Sequence, residues 1–124
     1  IAYVQCLDKE DEHFEALSKM EEELRDFHDL EGRPFNLIPL PMTDPIYYDD
    51  ERLPATYANF LIINGAVLVP TYNDRHDEEA LSIIKKAFSD REVIGVDCSV
   101  LIRQHGSLHC VTMQFPEAVT LEVE

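Results

Sequence analysis

The stretch YANFLIINGAVLVPTY, residues 57–72, sets two apolar, β-rich runs on either side of an Asn-Gly pair. No other feature limits the fold as much. An Asn-Gly dipeptide tolerates positive φ, which suits the type I′ turn that closes a two-residue hairpin. The sequence therefore predicts two antiparallel strands joined at Asn64-Gly65, and the rest of the chain must be arranged around them.

The opening run IAYVQCL has the composition of a short strand. Beyond it, Phe14, Leu17, Met20, Leu24, Phe27 and Leu30 recur at three- and four-residue steps, so they form one apolar stripe of a helix. Asp8 or Asp11 is expected to cap that helix, Glu21, Glu22 and Glu23 to lie largely on its wet side, and Gly32 and Pro34 to stop it. Extended structure resumes in FNLIPLPM, where Pro39 and Pro41 suit an edge or a strand end. Residues 42–56 form a long loop rich in proline, tyrosine and acid, and long loops are often functional. After the hairpin, Asn73 or Asp74 caps a second helix with Asp77, Glu78 and Glu79 in its first turn and Lys85 and Lys86 near its end, as the helix dipole favours. Its buried face comprises Ala80, Leu81, Ile84, Ala87 and Phe88. REVIGVDC and SLHCVTM read as further strands. The pattern is mixed α/β, with two loosely similar β/α units at about residues 1–56 and 57–124.

With 124 residues and 45% hydrophobic content, the chain can bury a core of ordinary size. It contains no apolar run long enough to cross a bilayer and nothing shaped like a signal peptide, so no membrane partner is expected. Its three cysteines, Cys6, Cys98 and Cys110, lack paired spacing and fit a reducing cytoplasm better than a disulfide framework. A formal net charge of −15 repels phosphate backbones and speaks against nucleic-acid binding. The same charge keeps a protein soluble and draws in cations. Loop acids Asp44, Asp49, Asp50 and Glu51 could meet a cationic ligand, although such clusters are commonly just solvated.

Cys110 is the residue with the most chemistry to offer. If SLHCVTM is a strand, Leu108, Cys110 and Thr112 share one face, and His109 turns away from Cys110. A strand also cannot aim His105, His109 and Cys110 at one tetrahedral ion, and no CxxC or HExxH accompanies them, so no metal is expected. Cys6 and Cys98 read as packing residues, and His13, His28 and His76 as solvated helix positions. His105 is the local candidate for a base. From the residues alone Cys110 remains either a packed thiol, the commoner fate, or a nucleophile without an evident base.

Three blocks in order, RLPATYANFLIINGAVLVPTYND, DREVIGVDC and HGSLHCVTMQFP, resemble the C-terminal part of agmatine deiminases. These belong to the bacterial peptidylarginine-deiminase-like family of the pentein superfamily. The resemblance is close from about residue 52 and weaker before it. It implies an α/β propeller of five pseudo-repeated modules, of which this chain would hold about the last two as a C-terminal fragment. It also implies conversion of agmatine to N-carbamoylputrescine and ammonia, a step of polyamine biosynthesis, with water and no metal or cofactor. The partner would be a small cationic guanidinium substrate, acted on in the cytoplasm, with a homo-oligomer possible. By position, Cys110 matches the family nucleophile and Gly106 a glycine that permits close approach to substrate. Relatives often carry glycines where this chain has Gln104 and His105, so His105 either lines the pocket or only packs. Asn59 and Asn64 match recurring asparagines read as structural, serving strand pairing and the turn. The family's His-x-Asp motif does not occur in this sequence, and the resemblance places it upstream of Ile1.

Overall fold

In a computed structural model, residues 1–116, 118 and 119 are described. Two strand–helix–strand units make up the fold, and in each the two strands run parallel. In the first, β1 (Ala2–Gln5) leads through α1 (Phe14–Arg25) to β2 (Ile38–Pro41), paired from Ala2↔Ile38 to Gln5↔Pro41. A small antiparallel hairpin follows, β3 (Tyr47–Tyr48) with β4 (Glu51–Arg52). The second unit starts with the hairpin β5 (Leu61–Ile63) and β6 (Ala66–Thr71), crosses over through α2 (Asp77–Ala87), and returns as β7 (Glu92–Asp97) alongside β6. The order of this three-stranded sheet is β5-β6-β7, with β6 in the middle. Two short 3-10 turns, Leu101–Gln104 and His109–Val111, lead on from β7.

The hairpin forms where the Asn-Gly pair requires, with Leu61↔Leu68 and Ile63↔Ala66 in register. Its turn is of a different type from the one expected. Gly65 takes φ 78°, whereas Asn64 is absent from the left-handed residues, so only one central residue has positive φ. That is the sign pattern of type II rather than type I′. The double left-handed turn lies elsewhere, at Asp49 (φ 51°) and Asp50 (φ 63°) between β3 and β4. Short acidic side chains tolerate that region better than most.

Val67, Val69, Leu40, Tyr57, Ile84 and Ile102 are fully buried and anchor one core, joined by Tyr72, Ala80, Cys98 and Leu108. β6 is apolar on both faces because α2 and the chain after β7 cover it, as expected for a strand in a parallel pair. Ala80 and Ile84 are buried on α2 as expected, while Ala87 is exposed. The acidic start and basic end of α2 stand as the sequence indicates. The capping position before it, however, is His76, whose side chain caps nothing. Asp74 instead closes a turn just before the helix by accepting the His76 N–H at 2.8 Å.

α1 is shorter than its stripe. Phe14, Leu17, Met20 and Leu24 are half-buried, but the helix ends at Arg25 and leaves Phe27 and Leu30 exposed. The Asp29 N–H, which a continuing helix would give to Arg25, donates instead to Arg33 O at 2.9 Å, and the Asp29 carboxylate closes the turn that follows on the N–H groups of Glu31 (3.0 Å) and Arg33 (2.9 Å). Asp8 and Asp11 close turns ahead of α1, on Glu10 N–H and His13 N–H, rather than capping it. Glu21 does not face water as expected. It turns inward to accept from Gln5 and pair with Arg25.

The hairpin β3–β4 is tied to α1 by Arg52, which donates to Asp11 at 2.7 and 3.1 Å and to Glu12 at 3.0 Å. The Arg52 and Asp11 side chains are only 14% and 9% exposed. Arg52, more than any other influence, holds the Asp11 carboxyl far below the usual carboxylate range. A depressed carboxyl stabilises the fold above its unfolded pKa, near 3.9, and that support is lost as pH falls. Arg52→Met is expected to lower stability at pH 7 by roughly 1.5–3 kcal/mol, the scale of a hydrogen bond to a charged group. The loss should shrink towards pH 2. Urea unfolding of both proteins across this range measures it, and a pH-independent difference would contradict the ion-pair account.

Candidate active site around Cys110

SLHCVTM is not a strand. Leu108 leads into a 3-10 turn at His109–Val111, and Thr112 returns to extended backbone. The alternation that set His109 against Cys110, and that argued against a shared metal, therefore does not apply. The polar groups that fix this segment bond outside any ladder. The His109 N–H donates to Asn59, at 2.7 Å to Oδ1 and 3.3 Å to the backbone oxygen. Ser107, fully buried, shares a 2.7 Å hydrogen bond with the Tyr72 hydroxyl.

The three cysteines divide as their surroundings dictate. Cys6 and Cys98 are buried, and burial pushes both thiols up. Cys110 is exposed and its thiol is lowered, first by the Ser107 backbone N–H and then by the Asn59 amide, whose Nδ2 donates to Sγ at 3.2 Å. Donors directed at sulfur favour the thiolate. Gly106 faces this thiol closely: a Cβ there would come within 3.2 Å of Cys110 Cβ and 3.7 Å of Sγ. The missing side chain leaves the Cys110 loop room to fold back on itself.

His105 takes φ 64° and ψ 19°, the left-handed conformation that glycine adopts most readily. Its exposed ring lies 3.3 Å from Glu51 on β4. It makes no hydrogen bond to Cys110, and among the described residues no histidine or carboxylate does. Arg103 stacks over the Tyr48 ring at 4.7 Å, so the β3–β4 hairpin and the Cys110 loop touch at two points. Of the loop acids, Asp44 accepts from Arg75, Asp49 and Asp50 form the turn, and Glu51 reaches His105. An open depression of about 430 Å³ adjoins the thiol's supports, lined by Ala58, Asn59, Phe60, Ile62, His109 and Gln114.

A second cleft, about 370 Å³, lies at the ends of β1 and β2 beside the start of α2, and shares no residue with this site. Asp44 and His76 line it, and with the neighbouring Asp74 they form a close cluster. His76 is part of that cluster, 2.7 Å from Asp74, and not a solvated helix residue. The sequence reading missed the two supports of the thiol, Asn59 and Ser107, and treated Asn59 as a strand-pairing residue. Asn59 instead sits in the turn before β5, 51 positions from Cys110, and no local spacing signals such a contact.

Residues 1–116 match the family model of the Porphyromonas-type peptidyl-arginine deiminases, and the chain belongs to that family. Among its relatives, a Porphyromonas gingivalis protein provisionally described as an arginine deiminase is 57% identical, with a TM-score of 0.91 over 94% of this chain and 34% of that one. The agmatine deiminase of Campylobacter jejuni is 48% identical, with a TM-score of 0.80 over 88% of this chain and 32% of its own; its cysteine-to-serine variant is known with substrate bound. A Marinomonas protein provisionally named agmatine deiminase is 32% identical over 99% of this chain and 38% of its own length. The chain spans about a third of the length of the curated relatives it matches, between 31% and 38%.

The Tyr72 hydroxyl makes three contacts, to Ser107, to the Thr56 carbonyl at 3.0 Å, and from the Thr56 N–H at 3.2 Å. Tyr72→Phe takes the hydroxyl partner from the buried Ser107 and the half-buried Thr56 N–H and is expected to cost about 1–3 kcal/mol, the penalty for orphaned polar groups. Chemical denaturation checks this, and a neutral result would show that the hydroxyl is dispensable.

Proposed function

We propose that Cys110 is the nucleophile of a deiminase that converts agmatine to N-carbamoylputrescine and ammonia. The observation that carries the reading is an exposed thiol held below its ordinary pKa by two donors, in a chain of a deiminase family. In the reaction, the thiolate sulfur bonds to the guanidinium carbon. One nitrogen takes a proton and leaves as ammonia, giving an amidino-cysteine. Water then adds to that carbon, the C–S bond breaks, and the thiolate is restored with the urea-type product. A general base must serve both steps, and carboxylates must hold the cation. We assign these groups to residues outside the 124 of this sequence, because no histidine or carboxylate among the described residues reaches Cys110 and no His-x-Asp occurs.

In this reading the two strand–helix–strand units are two modules of a five-module propeller, at about residues 1–56 and 57–124, with the active centre formed by all five. Gly106 gives the substrate close access, and His105 lines the rim. The substrate is a free small cation, drawn by the acidic surface, in a reducing cytoplasm where three free thiols are stable.

Peptidyl-arginine is the second reading. The family description and the 53% identity to a solved protein provisionally described as a peptidyl-arginine deiminase favour it. Comparing ammonia release from agmatine, arginine and an arginine peptide by the full-length protein separates the two. Cys110→Ala is expected to reduce release from the preferred substrate by at least roughly a thousandfold, as loss of a covalent nucleophile does. Undiminished release would end the deiminase reading.

A further inference from the structure

The geometry points to Asn59 as the positioning residue of Cys110: its amide donor fixes the sulfur and favours the thiolate, while its oxygen is locked by the backbone of His109. The assignment rests on the deiminase reading and adds to it a residue that takes no part in bond making.

The two ends of an amide have nearly the same shape, so its orientation follows from its neighbours. The His109 backbone N–H can only donate, and it lies 2.7 Å from Oδ1. That contact turns Nδ2 towards Cys110 Sγ, at 3.2 Å. A thiolate accepts such a bond more strongly than a thiol, so a donor held here favours the charged nucleophile. The same bond steadies sulfur when the C–S bond breaks in the hydrolytic step and the charge returns to it.

Asn59 itself is firmly held. Its N–H donates to Thr56 O at 3.3 Å, and the Ala58 N–H donates to Thr56 Oγ1 at 3.1 Å. Thr56 is in turn bound through both backbone groups to the buried Tyr72 hydroxyl. The support therefore runs from the core to the sulfur without a free rotor, as a preorganised site requires. Glutamine is a methylene too long for both bonds at once. Aspartate has the right shape but sets a carboxylate against the thiolate.

That difference provides the test. Asn59→Asp keeps an acceptor for the His109 N–H and replaces the donor to sulfur with an anion. In the full-length protein, the rate of Cys110 alkylation by iodoacetamide is followed against pH by peptide mass spectrometry, with the melting temperature measured alongside. The alkylation midpoint is expected to move to higher pH, and the rate at pH 7 to fall roughly tenfold, tracking the thiolate fraction. The acid limb of kcat/KM for deimination should move the same way. Asn59→Ala should shift the midpoint in the same direction by a smaller amount, and it decides the matter should Asn59→Asp fail to fold. A wild-type midpoint in a folded variant would reduce Asn59 to a cap on His109 and overturn the assignment. Ammonia release that survives Cys110→Ala would instead sink the deiminase reading while leaving the alkylation result intact.

Discussion

The buried hydroxyl of Tyr72 is the point on which this molecule turns. It lies at the end of β6, the central strand, and it binds both backbone groups of Thr56 and the side chain of Ser107. The Tyr72 N–H donates to Asp77 at the start of α2, and Asp77 also accepts the Tyr57 hydroxyl at 2.8 Å. One residue thus joins the central strand, the crossover helix, the turn before β5 and the loop that carries Cys110. Such a network is sound only when every member is satisfied, and among the described residues no buried side-chain polar atom lacks a partner.

That arrangement explains how an exposed thiol can be held in place. Cys110 sits on a 3-10 turn with little burial of its own, so packing cannot fix it. Its position comes from the Asn59 amide, whose turn is fastened through Thr56 to Tyr72, and from a loop that Ser107 anchors directly to Tyr72. The β3–β4 hairpin adds a looser brace, since the contact of His105 with Glu51 is exposed and contributes little. The same hairpin is fastened firmly at its other end, by Arg52 to Asp11. The two units therefore share a connection that passes beside the Cys110 loop.

Residues whose partners are close in sequence were readable. The hairpin at Asn64-Gly65, the charged ends of α2 and the run Glu92–Asp97 follow from local propensity and periodicity. Errors arose where one rule met a competitor. Periodicity extended α1 to Leu30, but the Asp29 N–H that a helix would need went to the Arg33 carbonyl in a tight turn closed by the Asp29 carboxylate. Alternation made a strand of residues 107–113, yet a strand needs a neighbouring edge, and Asn59 had already taken the His109 N–H. The turn at Asn64 kept a negative φ, and the double left-handed turn fell to Asp49 and Asp50.

The sequence alone determined the mixed α/β class, the hairpin, the second helix with its charge pattern, and, through resemblance, the family. Each rests on contacts within a few residues or on a motif legible as a string. Only the tertiary structure decided that Cys110 is exposed on a 3-10 turn, that Gly106 makes room for it, and that the Asn59 amide meets its sulfur. Those facts depend on residues some fifty positions apart meeting at one sulfur. Nothing in a linear pattern encodes that meeting, because the packed core around Tyr72 brings the two segments together.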